Sequence, residues 1–497
     1  MNWKIIWRSL RNSDMRRRVL AVLGILLVFR ILAHVPIPLE DSETLVQILE
    51  NLFSADTPQL LSFIDIISGG ALANFSIMIV GLGPYINASI IMQLLTRAIP
   101  KLETLNKEGG FGRKKINQYT RMLTFPLAII QSIGAIYLVR QAATRVGGIG
   151  DITANTSILQ WVLMVSALTG GAMLLMWLGE LITEQGIGNG ISLLITAGIV
   201  SQLPVTIQSI QDAVFRGPGD MEVFGISLNS VEAIYAMVIL VATVLLTVGI
   251  VKLNESARRL TIHYAKRVQG NRTYGGVTTT MPIKLITAGV IPIIFAVAFL
   301  SVPSFAGQIL IGMSSERLQV IGEKLSIWFA NPTAETFAAG GWEPFIYPVT
   351  YFLLVFMFTF FYTGITFNAK EIAENLQKQG GFIEGVRSGL QTEKYLSKVV
   401  NRLTLFGATA LGFIALTPII GQIFLTSNIA IGGTSILILV AVAVETLRSI
   451  ESRALMVTYD QYEQPDFFTE MEQRQEEEKT SSRRKKVLSK LRRKNKS

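Results

Sequence analysis

The chain has 497 residues, half of them hydrophobic and only 16% charged, with a mean hydropathy of +0.45 and a net charge of +10. A soluble protein of this size carries about 25% charged residues, so soluble, disordered and fibrous classes are excluded and a polytopic membrane protein remains. There is no cysteine, which removes disulfides, zinc–thiolate sites and iron–sulfur clusters, and the two histidines, His34 and His263, form no local metal motif.

Apolar runs near the ~20-residue length that crosses a bilayer recur ten times along the chain: 19–35, 75–96, 122–139, 158–181, 187–208, 229–251, 285–302, 345–367, 403–424 and 430–450. The first is short, contains Arg30 and follows Arg16, Arg17 and Arg18, as a signal peptide would. His34-Val-Pro-Ile-Pro38 follows in place of a small-residue cleavage site, so the run is expected to be a retained helix. Residues 60–74 are too short and too broken to span. They read as an outer-surface amphipathic helix or as a re-entrant piece, which is tolerated only where protein or water shields its backbone. Ten spans put both termini on one side. The N-terminus, the 2/3, 6/7 and 8/9 connections and the tail hold 39 of the 45 lysines and arginines, so that side is expected to be cytoplasmic.

The expected organisation is all-α. It comprises a cytoplasmic segment 1–18, a first five-helix half 19–214, a second half 215–455 with cytoplasmic loops 252–284 and 368–402, and a charged, disordered tail 456–497. Five spans per half is odd, so the halves would be inverted relative to one another. The span centres are nearly free of charge. Glu180, Glu445 and Arg448 lie near span ends, and only Arg30 is deep, as a functional residue or as a structural pair. Gly109-Gly110-Phe111-Gly112-Arg113 lacks the Lys-Ser/Thr of a phosphate loop, and Gly186-Ile187-Gly188-Asn189-Gly190 fails the dinucleotide pattern. A solute transporter needs a polar site at the midplane, and none is visible. A scaffold would have no use for a short re-entrant segment.

Several motifs then share one resemblance. They are Ala71–Leu95, Lys107–Arg121, Trp177–Ser192, Tyr264–Arg267, Ala288–Phe295, Gln391–Tyr395 and Gly432–Ser435. Over about residues 15–460, in order, the chain resembles the SecY family, the central subunit of the bacterial protein-conducting channel. The resemblance implies an hourglass pore with a plug at 60–73, represented by Phe63, Ile64, Asp65, Ser68, Gly69 and Gly70. It implies a pore ring of Leu82, Ile86, Ile191, Ile195, Ile294 and Ile438, and a lateral opening between spans 2/3 and 7/8 near Gln93, Ile286 and Thr287. An aliphatic constriction suits the implied task, because it offers no specific hydrogen bonds and gates by dewetting. Leu82 stands where the family more often has Ile, Ile286 where it often has Asn, and Asn271 where a second base is common.

The basic loops carry Arg258, Arg259, Lys266, Arg267, Arg272 and Arg387. Topology and anionic lipid account for such charge at ~1 kcal/mol per base. The resemblance adds docking of the ribosome, whose RNA is a phosphate surface, and of the SecA motor. It also implies SecE and SecG as membrane partners, SecDF and YidC as further ones, signal sequences and unfolded polypeptides as cargo, a bacterial plasma-membrane location, and no cofactor, metal or catalytic residue.

Overall fold

The computed structural model describes residues 13–37, 70–71, 75–147, 157–215, 221–223, 226–228, 230–264, 267–269, 272–274, 276, 278–287, 289, 291–311, 315–329, 332, 334–338, 340–424 and 433–462. The described chain is mainly helical. In order come α1 (Ser13–Leu32), α2 (Gly83–Ala98), α3 (Pro100–Lys107), α4 (Gly110–Gly147), α5 (Ile158–Glu184), α6 (Gly190–Phe215) and α7 (Ser230–Glu255). They are followed by α8 (Ile291–Ile311), α9 (Glu316–Trp328), α10 (Ala334–Ala338), α11 (Ile346–Thr366), α12 (Ala369–Lys378), α13 (Leu390–Phe424) and α14 (Gly433–Tyr462). Each of the ten apolar runs overlaps one of these helices. The stretches Ile158–Glu184, Ala233–Glu255, Glu343–Lys378 and Leu390–Gly421 are long and apolar enough to cross a membrane on length and composition alone. Two compact units emerge. Met1–Leu20 with Leu447–Ser497 forms one, in which Asp14 and Arg18 pair at 3.0 Å one turn apart; Ala21–Thr446 forms the other. The boundary between the units falls within α1 and within α14 rather than between two five-span halves, and α14 continues past residue 456 to Tyr462.

The run 75–96 is not one continuous helix. Residues 75–82 form successive turns, and α2 starts only at Gly83, with Pro84 in its first turn. The reason is in the residues. Gly81 adopts φ +61°, and proline at N1/N2 suits a helix start because its missing N–H would have had no partner there. Sixteen residues of helix reach only ~24 Å, short of the ~30 Å hydrocarbon core, so irregular backbone must supply the rest. That backbone is shielded: Phe75, Ser76, Met78, Ile79 and Leu82 are all buried. Its hydrogen bonds are met locally. The Ile37 N–H donates to Phe75 O, the Ile77 N–H to Val35 O, and the Ser76 hydroxyl to Leu32 O at 2.9 Å while accepting from the Met78 N–H. Gly171 of α5 lies against this stretch so closely that a Cβ there would fall 2.1 Å from the Ile77 carbonyl oxygen.

The 6/7 and 8/9 connections are not plain loops. Strands β1 (Met221–Val223) and β2 (Ile226–Leu228) pair before α7. After α7, β3 (Ala257–Tyr264) pairs with β6 (Thr278–Lys284) on one side and β7 (Gly381–Ile383) on the other. Leu260 and Ile262 alternate inward along β3, and Pro282 is accommodated because β6 is an edge strand. Leu260, Ile283 and Ile383 pack against Leu396, Val399 and Val400 of α13, so segments about 120 residues apart share one small core. A second ribbon, β4 (Arg267–Gln269) with β5 (Arg272–Tyr274), rises between β3 and β6.

Candidate functional site

Exposure in the isolated chain separates residues that face lipid from residues that face protein. Leu240 of α7 is 65% exposed, as a lipid-facing residue should be, whereas Leu82 and Ile195 are 2%, Ile86 4% and Ile438 7% exposed. Ile191 and Ile294 are half-buried. Leu82 is the N-cap of α2, and Ile86 follows one turn later with its N–H bonded to Leu82 O. Ile191 and Ile195 open α6, whose start is built by its neighbours. The Thr183 hydroxyl accepts from the Gly190 N–H at 2.9 Å, and Asn189 Oδ1 accepts from the Ile191 N–H at 3.1 Å. Gly190 sits so near Gly179 O that no side chain fits between, and Ile191 Cγ1 packs over Gly179. The glycine-rich 186–190 segment is thus a helix-start and close-packing device, and Gly188 meets Thr446 of α14. Among these helices α2 packs on α8, α6 packs on α5, and Gly188 ahead of α6 comes near Thr446 of α14.

Along the expected lateral opening, α8 packs on α2, on α4 and on α11. Ile286, 3% exposed, lies just ahead of α8 and against Gly407 of α13, within the second half. Gln93 bonds Ser89 of its own helix at 3.1 Å and leaves its buried Oε1 without a partner. Thr287 donates to Thr363 of α11 at 3.1 Å, so its polarity is satisfied within the second half. Arg97, by sequence one more topology-setting base, reaches across to the Gly364 carbonyl of α11. The sequence also leaves Glu180 as a charge near a span end. It forms a two-point ion pair with Arg121 of α4, at 2.8 and 2.5 Å, and locks α4 to α5. Arg30 is half-buried, and its carbonyl pairs with His34 Nδ1 at 2.8 Å.

Of the expected plug, Gly70 takes φ +84° beside the Gln202 side chain of α6, and Ala71 is fully buried. Phe63, Ile64, Asp65, Ser68 and Gly69 lie outside the described residues. Among the expected contact bases, Arg258 and Arg259 are exposed on β3. Arg267 pairs with Tyr274, and Arg272 with Gln269, in the β4–β5 ladder; Lys266 lies outside the described residues. Arg387 is exposed on a turn bounded by Gly385 (φ +77°) and Gly389 (φ +93°), and its carbonyl accepts from the Thr392 hydroxyl at 2.9 Å. Glycine is needed at both positions because a side chain strains that conformation.

These features fit the class of multi-pass helical membrane channels. The sequence profile of the SecY family matches residues 76–447, and the chain belongs to the SecY family. It is 38% identical over 461 residues to the protein translocase subunit SecY of Mycobacterium tuberculosis, spanning 91% of this chain and 98% of that one. It is 39% identical over 457 residues to the protein translocase subunit SecY of Streptomyces galbus, with the same coverage of 91% and 98%. In fold it is similar to a solved protein-conducting channel, with a TM-score of 0.59 at 18% identity over 87% of this chain and 91% of that one. It is also similar to Sec61 of a canine ribosome–channel complex from the endoplasmic reticulum, with a TM-score of 0.55 at 17% identity and the same shares of 87% and 91%.

Proposed function

We propose that this chain is the pore-forming subunit of a protein translocase. It passes unfolded polypeptides across a bacterial plasma membrane and releases apolar segments sideways into lipid. Ten crossings place both termini on the cytoplasmic, basic side. The observation that carries the reading is the burial of the aliphatic side chains Leu82, Ile86, Ile195 and Ile438 inside the protein, on helices drawn from both halves of the chain. Side chains of this type that turn away from lipid, at a site with no obligatory polar ligand, suit a seal that must pass every sequence and hold back ions. Residues 60–73 are assigned to the plug above it. The seam of α2 and α4 against α8 and α11 is the lateral exit.

The pore has no motor of its own, so the driving force is external. Relatives are named as translocase subunits, and a neighbour in fold was solved with a ribosome. The sheet of β3, β6 and β7 supports the same assignment here, because it holds Arg258 and Arg259 on a platform with its own core. SecA and the ribosome are assigned to this face, and SecE and SecG to the lipid-exposed perimeter. Arg387 stands exposed on its glycine-bounded turn, and a guanidinium there offers two-point bonding to carboxylate or phosphate.

Planar-bilayer conductance of the resting complex tests the seal. Ile191→Asn and Ile438→Asn are expected to raise leak and to relax the demand on signal-sequence hydrophobicity, and unchanged leak in both removes the ring assignment. Arg387→Glu is expected to lower motor-driven translocation and ribosome binding by at least tenfold, with Arg387→Lys between it and the parent. Full activity of the Glu variant in both assays would leave Arg387 as a solvated charge.

A further inference from the structure

We propose that Arg97 is a latch on the lateral seam that sets how hydrophobic a segment must be to open it. The proposal rests on the reading above and adds a specificity-determining residue to it. The last four carbonyls of a helix have no partner within the helix, and α11 ends at Thr366, where the Phe367 N–H caps Thr363 O. Gly364 O is another of these unmatched carbonyls, and it accepts from the Arg97 guanidinium at the far end of α2. A cation at a helix C-terminus also meets the negative end of the helix dipole. The two residues are 267 positions apart, one in each half of the chain, so the bond ties the halves together. Gly364 leaves the approach open, since even a Cβ there would sit 3.8 Å from Nη2.

Two other polar side chains described near the seam bond within their own half. Gln93 bonds Ser89 within α2, and Thr287 bonds Thr363 within the second half. Glu103 of α3 lies within electrostatic reach of Arg97, but Lys107, at 2.8 Å, is its direct partner and holds the Glu103 carboxyl below the usual carboxylate range. Arg97 therefore contributes a polar bond from α2 of the first half to α11 of the second. A segment leaving sideways must separate α2 from α11 and break that bond. The cost is the same for every substrate. Strongly apolar segments overcome it, and weakly apolar ones fail first.

The chain has no cysteine, which makes the test direct. The complex is reconstituted in vesicles with its motor and given precursors whose signal cores grade from alanine-rich to leucine-rich. Arg97→Met keeps the apolar stem and removes the donors. It is expected to raise translocation of the weakest signals about tenfold, the size of one charge-assisted hydrogen bond, and to leave the strongest signal unchanged. Arg97→Lys should fall between the two. In the resting complex, spin labels on Lys101→Cys and Glu374→Cys should report a longer and broader separation in the Met variant. An unchanged signal threshold together with an unchanged separation overturns the latch, as does a threshold shifted toward stronger signals. If the parent complex fails to move even the strongest signal, it is the channel reading that falls. Arg97→Gln serves for Arg97→Met if the latter does not assemble.

Discussion

The segment 75–98 and the helix α7 are both rich in aliphatic residues and have opposite surroundings. Of the most apolar window of α7 only 6% is buried, and Met237, Leu240 and Leu245 stand 65–69% exposed. The 75–98 segment carries Ser76 and Met78 at 0% exposure, followed by Pro84, Ile86, Ala88, Ile90 and Met92 inside the protein. Lipid tails solvate an aliphatic side chain about as well as protein does, so α7 needs no partner for its stability. The short α2 has no such option. Its irregular lead-in exposes backbone groups that lipid cannot satisfy, and the surrounding helices must supply both shielding and hydrogen bonds. Apolar sequence alone therefore says that a segment enters the membrane, and its backbone regularity says whether protein must enclose it.

The comparison predicts a ranking of mutational costs, read as thermal unfolding of the complex in nanodiscs. Gly171→Ala should be the most damaging, at about 3 kcal/mol, because even a methyl group collides with the Ile77 carbonyl and neither backbone can yield without moving the other. Stability equal to the parent would mean that α5 does not enclose the 75–82 segment this closely. Ser76→Ala comes next, at about 2 kcal/mol, since it takes the hydroxyl acceptor from the buried Met78 N–H and leaves Leu32 O with only the Val35 N–H. A loss below a few tenths would show that water reaches the site. Leu240→Ala in α7 should lie within about 0.5 kcal/mol of the parent, as for a surface substitution away from any packed contact. A cost like that of a core leucine would reveal a protein partner along α7.

Local and periodic features were legible in the sequence. The ten apolar runs each meet a helix, because a ~20-residue stretch without charge has few stable choices in a bilayer. The interruption before α2 was also readable in Gly81-Leu82-Gly83-Pro84, although hydropathy averaging hid it by running the apolar count straight through. The six aliphatic residues stood apart only by motif, since nothing in an isoleucine's own chemistry distinguishes a constriction from a lipid contact. Tertiary structure decided which of them turn inward. It placed Gly381–Ile383 beside β3, joined Arg121 to Glu180 across two helices, and carried Arg97 to a carbonyl in the other half. Each of these depends on which helix ends meet in space. A charge near a span end looks the same in sequence whether it faces water, another charge or an unmatched carbonyl, because the partner is set by packing between segments far apart in the chain.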